Sequence, residues 1–229
     1  MEIHGLQKLT LLDYPGHTAC TVFLAGCDLR CPYCHNTGLL DASAPPLMDD
    51  RKLISFLQKR KGLLDGVAFT GGEPLLHRDL PAVMEEIRRM GFLVKLDTNG
   101  MHPKALKTVL EGGLADYVAM DIKNSRDQYA AASGLDTVDL ERIDQSISQL
   151  MDRAPDYEFR TTVLEQLHNE DSFRAIGPWI RGAKHYFLQA FTDRDSVPFR
   201  GFSAPNAEQM EKYASIVRPF VGDVSLRGL

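Results

Sequence analysis

Cys27, Cys31 and Cys34 fall within eight residues, in CDLRCPYCHN (27–36), with the spacing C-x3-C-x2-C. Thiolates three and four positions apart can turn inward around one centre if the loop wraps it. Two metal chemistries suit such a set. A zinc ion would take the three cysteines and His35. His35, however, adjoins Cys34, and neighbouring side chains rarely converge on one tetrahedral ion. Structural zinc sites also usually split their ligands into two separated pairs, and no second pair exists here. An iron–sulfur cluster accepts closely spaced thiolates more readily. With three protein thiolates, a four-iron cluster keeps one iron open, and an open metal position marks a site that takes a substrate or cofactor. A pure electron carrier is expected to bring four cysteines. The chain's fourth, Cys20, stands in an apolar run and reads as a small core residue.

A motif of this kind needs a frame. The chain has 229 residues, 44% of them hydrophobic and 25% charged, the balance of an ordinary globular protein. One domain over 1–229 is expected at this length. A net charge of −5 argues against nucleic-acid binding through bulk positive charge. The N-terminus has no apolar h-region, and no run of about 18 apolar residues occurs, so a cytoplasmic chain without a membrane partner is expected. In that reducing compartment, four cysteines point to metal or redox chemistry rather than to a disulfide framework.

Six short apolar runs read as buried strands: 18–25, 66–70, 92–97, 117–122, 157–163 and 185–191. Helix candidates alternate with them at 49–60, 79–90, 103–111, 138–153, 171–181 and 206–218. Asp79 with a proline in the first turn opens the second, Gly91 stops it, and Asn206 caps the last. Strand–helix alternation predicts right-handed βαβ units and a parallel sheet. Six units fall short of the eight that close a barrel, so an α/β fold is expected, a partial (β/α)6 barrel of parallel strands with outer helices. A flat doubly wound sheet is the rival topology.

Either topology puts chemistry at the C-terminal ends of the strands, and the polar signals sit there. The cysteines follow the first strand, and Gly71, Gly72, Glu73 and Pro74 the second. Asp97, Thr98, Asn99 and Gly100 close the third, Asp121 and Lys123 the fourth. Arg160 lies in the fifth and Gln189 in the sixth.

CDLRCPYC, with an aromatic before its last cysteine, resembles the cluster motif of the radical S-adenosylmethionine (SAM) superfamily. FTGGEP at 69–74 resembles that superfamily's second motif and follows the second strand, as it does there. The resemblance spans essentially the whole chain. It implies a partial (β/α)6 barrel and a [4Fe–4S] cluster on Cys27, Cys31 and Cys34. SAM would chelate the open iron through its amino and carboxylate groups. Gly71 and Gly72 would let backbone approach the methionine part, Glu73 would accept from the amino group, and Pro74 would fix the turn. Tyr33 would pack near the adenine or serve as a core aromatic.

The stretches KLTLLDYPG, CHN, DTNG (97–100) and MDIK (120–123) are similar to the activating enzymes of glycyl-radical proteins. The compact layout is most similar to the activases of anaerobic ribonucleotide reductases, with pyruvate formate-lyase activases as near relatives. That implies Asp97, Thr98 and Asp121 around the SAM carboxylate, with a monovalent cation, and Lys123 reaching the carboxylate or ribose. The plain alternatives are a turn carboxylate for Asp97, a solvated strand-end charge for Lys123 and a helix N-terminal charge for Glu73. It also implies flavodoxin or ferredoxin as electron donor and a partner glycine as the site of hydrogen abstraction. Segments 124–137 and 192–205 are long and polar enough to guide that glycine. No catalytic protein acid or base is expected beyond the cluster and SAM. His17, His77, His102, His168 and His185 read as surface or satisfied histidines. A small-molecule substrate in the same barrel mouth is the alternative.

Overall fold

The computed structural model describes residues 1–229 apart from Ala42 and Ala44. In chain order the elements are β1 (Glu2–Ile3), β2 (Gly5–Thr10), β3 (Ala19–Leu24), β4 (Met48–Asp49), α1 (Asp50–Gln58), β5 (Gly66–Gly71) and α2 (Leu80–Arg89). Then come β6 (Leu93–Thr98), α3 (Pro103–Glu111), β7 (Tyr117–Asp121), α4 (Tyr129–Ser133), α5 (Leu140–Arg153) and β8 (Tyr157–Val163). The chain ends with α6 (Glu170–Trp179), β9 (His185–Ala190), α7 (Ala207–Val217) and β10 (Asp223–Arg227).

One eight-stranded sheet carries the fold, in the order β10-β9-β8-β7-β6-β5-β3-β2. Its two edges, β2 and β10, do not pair with each other, so the barrel stays open. Each of the six expected strands is present, and neighbours among them pair in parallel. Two additions change the count of six: β10 extends the parallel set beside β9, and β2 adds an antiparallel edge to β3. β1 and β4 form a separate small ribbon.

Alternation along the strands sorts the two faces. Val22, Leu24, Val67, Phe69, Val94, Leu96, Val118, Met120, Phe159 and Leu188 are fully buried beneath the helices and belong to one large apolar core. The concave face carries Thr21, Lys95, Asp97, Asp121, Glu158 and Arg160 instead. Helix ends follow local chemistry. The Asn206 side chain accepts from Gln209 N at 2.9 Å and caps α7. Asp79 holds the N-cap position of α2, but its side chain makes no capping hydrogen bond; a proline in the first turn sets that start, and Gly91 at φ +94° ends the helix.

The LDYPG stretch closes the lower end of the concave face. The Thr10 hydroxyl accepts from the N–H groups of Leu12 and Asp13, and Thr21 donates to Asp13 Oδ2 at 2.5 Å. This turn delivers Tyr14 to the N-terminal ends of the strands, where it is buried with Ala19, Leu93, Tyr117 and Ala119 in a second, small cluster. A Cβ on Gly66 would meet the Tyr14 ring at 2.9 Å, so glycine there makes room for the plug. Among the described residues no helix is long and apolar enough to cross a membrane.

Candidate active site

The cysteine loop, GGEP, DTNG and MDIK lie at the C-terminal rim of the sheet, whereas LDYPG lies at the opposite end. The cysteine loop begins three residues after β3 and is held on several sides. Gly26 N donates to Leu39 O at 2.8 Å and Cys27 N to Leu40 O at 3.1 Å. Asn36 Nδ2 donates to Gly71 O at 2.9 Å, and Glu73 N donates to Gly26 O at 2.8 Å, so the cysteine and GGEP loops are stitched together. Glycine is required at Gly71 and Gly72 by this stitching. A Cβ on Gly71 would lie 2.3 Å from Leu24 O, and one on Gly72 2.1 Å from Gly26 O. Their freedom from side chains serves the close approach of β3 and β5.

Arg30 fastens the other side of the loop. Its N–H donates to Ser133 O at 2.9 Å, and its guanidinium donates to Cys27 O and Leu29 O at 2.5 and 2.8 Å. Ser133 ends α4, a helix that periodicity did not reveal. The segment 124–137 is therefore not a free polar loop: Tyr129 and Ala132 are fully buried, and the segment buttresses the cysteines.

Cys27, Cys31 and Cys34 are all free thiols. Burial pushes Cys27 up to about 11 and raises Cys31 as well. Buried thiols of this kind ionise only beside strong positive charge, which a metal centre provides. Among the described residues no three His, Cys, Asp or Glu side chains are placed to hold a single ion. His35 turns away, with Nε2 2.7 Å from Thr192 O and its ring stacked on Phe191. The donor set thus fits a multi-iron cluster on three thiolates, not a Cys3His zinc site. Cys20 is fully buried in the core.

Glu73 is fully buried at the hub of the rim. Oε1 accepts from Leu75 N (3.0 Å) and the Thr98 hydroxyl (2.9 Å); Oε2 accepts from Asn99 N (2.6 Å). The first of these bonds caps the short turn that starts at Pro74. Three donors leave about one lone-pair direction of the carboxylate free. Thr98 is thereby committed to Glu73, and its oxygen also accepts from Gly100 N. It points away from Asp97, as adjacent strand residues must.

Burial pushes the Glu73 carboxyl up to about 7, against the pull of its hydrogen bonds. Raised above an unfolded value of 4.5, this group contributes stability that is full below pH 4.5 and lost as pH rises through 7. The difference amounts to about 3 kcal/mol. Denaturant unfolding of the cofactor-free chain should show wild type losing about that much relative to Glu73→Gln between pH 4.5 and 8. A pH-independent difference between the two would contradict it.

A second charged group spans three strands. Arg160 on β8 bridges Asp97 on β6 (Nη2–Oδ2, 3.3 Å) and Asp121 on β7 (Nε–Oδ1, 2.5 Å). Lys123 Nζ donates to Asp121 Oδ2 at 2.8 Å, and Lys95 pairs with Asp97. Burial would raise both carboxyls, but Arg160 and the lysines outweigh it and hold them below the usual carboxylate range. Three cations face two carboxylates, leaving one positive charge in surplus at the centre of the mouth. Burial works against the charge on Lys123, but Asp121 beside it holds it as a cation. Tyr33 itself is buried in the core with its hydroxyl unpartnered.

Sequence reasoning passed over Lys95, gave Asn99 no role beyond closing its strand, and read His168 as a surface or satisfied histidine. Lys95 and Asp97 share the period-two face of β6, a charged pair in an otherwise apolar strand, and that spacing is the signal that could have found Lys95. His168 accepts from Leu164 N through Nδ1 and faces Lys123 O through Nε2 at 3.0 Å, so it sets the backbone carrying Lys123. Burial pushes it down to about 4, so it stays a neutral, satisfied histidine. His77 and His102 are likewise engaged, with Ala25 O and Asp28.

Known proteins share this layout. A Methanocaldococcus jannaschii protein whose name places it among glycyl-radical enzyme activating enzymes is 29% identical over 98% of this chain and 95% of its own. The pyruvate formate-lyase-activating enzyme of Clostridium pasteurianum is 32% identical over 55% of this chain and 54% of its own. Among solved structures, Streptococcus suis SuiB bound to precursor peptide SuiA superposes with a TM-score of 0.71 at 11% identity, covering 91% of this chain and 48% of that one; this likeness concerns the fold. The family model described as the radical SAM superfamily matches residues 21–173, which contain the cysteine loop, GGEP, the Glu73 hub and the Arg160 bridge. The chain belongs to the radical SAM superfamily and is a radical SAM enzyme.

Proposed function

We propose that this enzyme activates a glycyl-radical partner, an anaerobic ribonucleotide reductase, from a cytoplasmic setting with flavodoxin or ferredoxin as electron donor. The observation that carries the reading is end-to-end similarity to a relative named for activating glycyl-radical enzymes, at 98% of this chain and 95% of that one. The choice of reductase over formate-lyase rests on the compact layout around LDYPG.

When bound, the cluster and SAM supply reductive cleavage of the SAM carbon–sulfur bond and a radical that abstracts hydrogen from carbon. The chain's own residues do the rest. Cys27, Cys31 and Cys34 hold the cluster. Glu73 offers its remaining lone pair to the SAM amino group. Gly71, Gly72 and Pro74 shape the backbone beside the methionine part, with Thr98 keeping Glu73 in place. The surplus positive charge of Lys95, Lys123 and Arg160 would attract the SAM carboxylate beside Asp97 and Asp121. Tyr33 backs the cluster loop on the adenine side. Segment 192–205 lies at the rim, tied to the cysteine loop through Thr37 Oγ1 to Ser196 O at 2.6 Å, where it can guide an incoming glycine.

Anaerobic incubation of the reconstituted enzyme with SAM, a reductant and the glycyl-radical subunit of an anaerobic ribonucleotide reductase tests the proposal. The expected result is a glycyl radical signal in electron paramagnetic resonance on that subunit. A signal on pyruvate formate-lyase alone would reassign the partner. SAM cleavage without a radical on either protein would favour a small-molecule substrate.

A further inference from the structure

Asn99 stands where three parts of the site meet, and it is 6% exposed. Its N–H donates to Glu73 Oε2, and its side-chain Oδ1 accepts from Met101 N at 2.9 Å. That second bond fixes which way the amide points. A flipped amide would set its NH2 against the Met101 N–H and its oxygen against a carboxylate. Nδ2 therefore faces the cysteine loop. There it donates to Asp28 Oδ1 at 2.8 Å and lies 3.9 Å from Cys27 Sγ, within reach of a weak N–H···S bond. On its far side Asp28 Oδ2 lies 3.0 Å from His102 Nε2, at ion-pair distance but without hydrogen-bond geometry. Asp28 is thus held by the Asn99 amide and faces an imidazole, one residue from a candidate cluster ligand.

We propose that Asn99 is a positioning residue that sets the reduction potential of the cluster through Cys27 and Asp28. The proposal rests on Cys27 being a cluster ligand. Adding an electron to a cluster increases negative charge on its sulfurs. An N–H aimed at the Cys27 sulfur stabilises the reduced form more than the oxidised form, whereas a neighbouring carboxylate does the opposite. Asn99 supplies the donor and also holds the carboxylate in place. Its removal acts twice in one direction: the donor is lost and Asp28 is released beside the sulfur. Asp28→Asn acts in the other direction, because it removes the charge and keeps an oxygen for the Asn99 amide.

The test is a mediated redox titration of the anaerobically reconstituted full chain, without SAM or partner, followed by the resonance signal of the reduced cluster. At the applied potential that half-reduces wild type, the reduced-to-oxidised ratio should fall about tenfold in Asn99→Ala, a 59 mV shift for one electron. In Asp28→Asn the ratio should rise. Shifts of opposite sign support the proposal. No shift, or shifts of the same sign, overturn it, because a merely structural role would lower iron retention and melting temperature without moving the potential of the loaded centre. If Asn99→Ala retains too little iron to titrate, Asp28→Asn decides alone: a rise supports, and anything else overturns. A wild-type chain that takes up no iron would overturn the ligand assignment as well, and iron analysis tells that outcome apart.

Discussion

Gly134→Ala will cost the fold roughly 2–5 kcal/mol and will empty the enzyme of iron. Gly134 ends α4 in the left-handed region at φ +68°, where a side chain costs about 1–2 kcal/mol. The larger part is contact. A Cβ there would sit 1.9 Å from Arg30 O and 2.5 Å from Arg30 C, and backbone cannot rotate aside as a side-chain tip can. Overpacking of this kind adds about 1–3 kcal/mol. Relief requires the loop around Arg30 to move, and Arg30 lies between Cys27 and Cys31 with its guanidinium on Cys27 O. Gly113→Ala is the matched control. Gly113 also has positive φ, +58°, but a Cβ there meets nothing within 4 Å, so only the conformational cost applies and iron binding should be unchanged. Denaturant midpoints and iron per chain report both effects. Equal losses in the two variants would refute the buttress role of α4.

The second large effect belongs to Arg160→Met. Among the described residues, the guanidinium is the one group that pairs with both Asp97 and Asp121. Removing one partner of a buried ion pair costs about 3–5 kcal/mol. Here each carboxylate keeps a lysine and the site is partly open, so about 2–3 kcal/mol is expected. The sign of its pH dependence follows from the direction of the shifts. In wild type both carboxyls are held down, so their contribution is present above pH 4 and lost only in strong acid. Without Arg160 that contribution shrinks, so the gap to wild type should be full above about pH 4 and should narrow as pH falls below it. With the surplus positive charge gone, SAM affinity should fall 10- to 100-fold on the proposed placement of its carboxylate. Anaerobic equilibrium dialysis measures this, and unchanged affinity would move the carboxylate elsewhere.

These two residues mark what could and could not be read from the chain. Six of the seven parallel strands and the residues at their C-terminal ends were legible, because buried parallel strands are short apolar runs and catalytic loops follow them. β10, with DVSLR, was not legible: its polar residues alternate with two apolar ones, and the strand is too short to stand out from a loop. α4 has five residues, too few to show a helical period, and its burial depends on the distant cysteine loop. Arg160 was visible as a charge in a strand, but its role is a contact between β6, β7 and β8 that only the sheet order creates. Glu73 was read as a ligand for an incoming group, and it is also an internal hub for Thr98, Leu75 and Asn99. Local spacing cannot distinguish one use of a carboxylate from two.

Tyr14 has a kinetic consequence. The Tyr14 cluster closes the N-terminal ends of the strands, so the rim site is not reached from that side. Whatever sits deepest must arrive first and depart last. On the proposed function the small cofactor loads before the protein partner docks, and spent fragments stay trapped until that partner withdraws. Turnover is then paced by undocking, and a reactive species held at the rim is shielded from below by Tyr14.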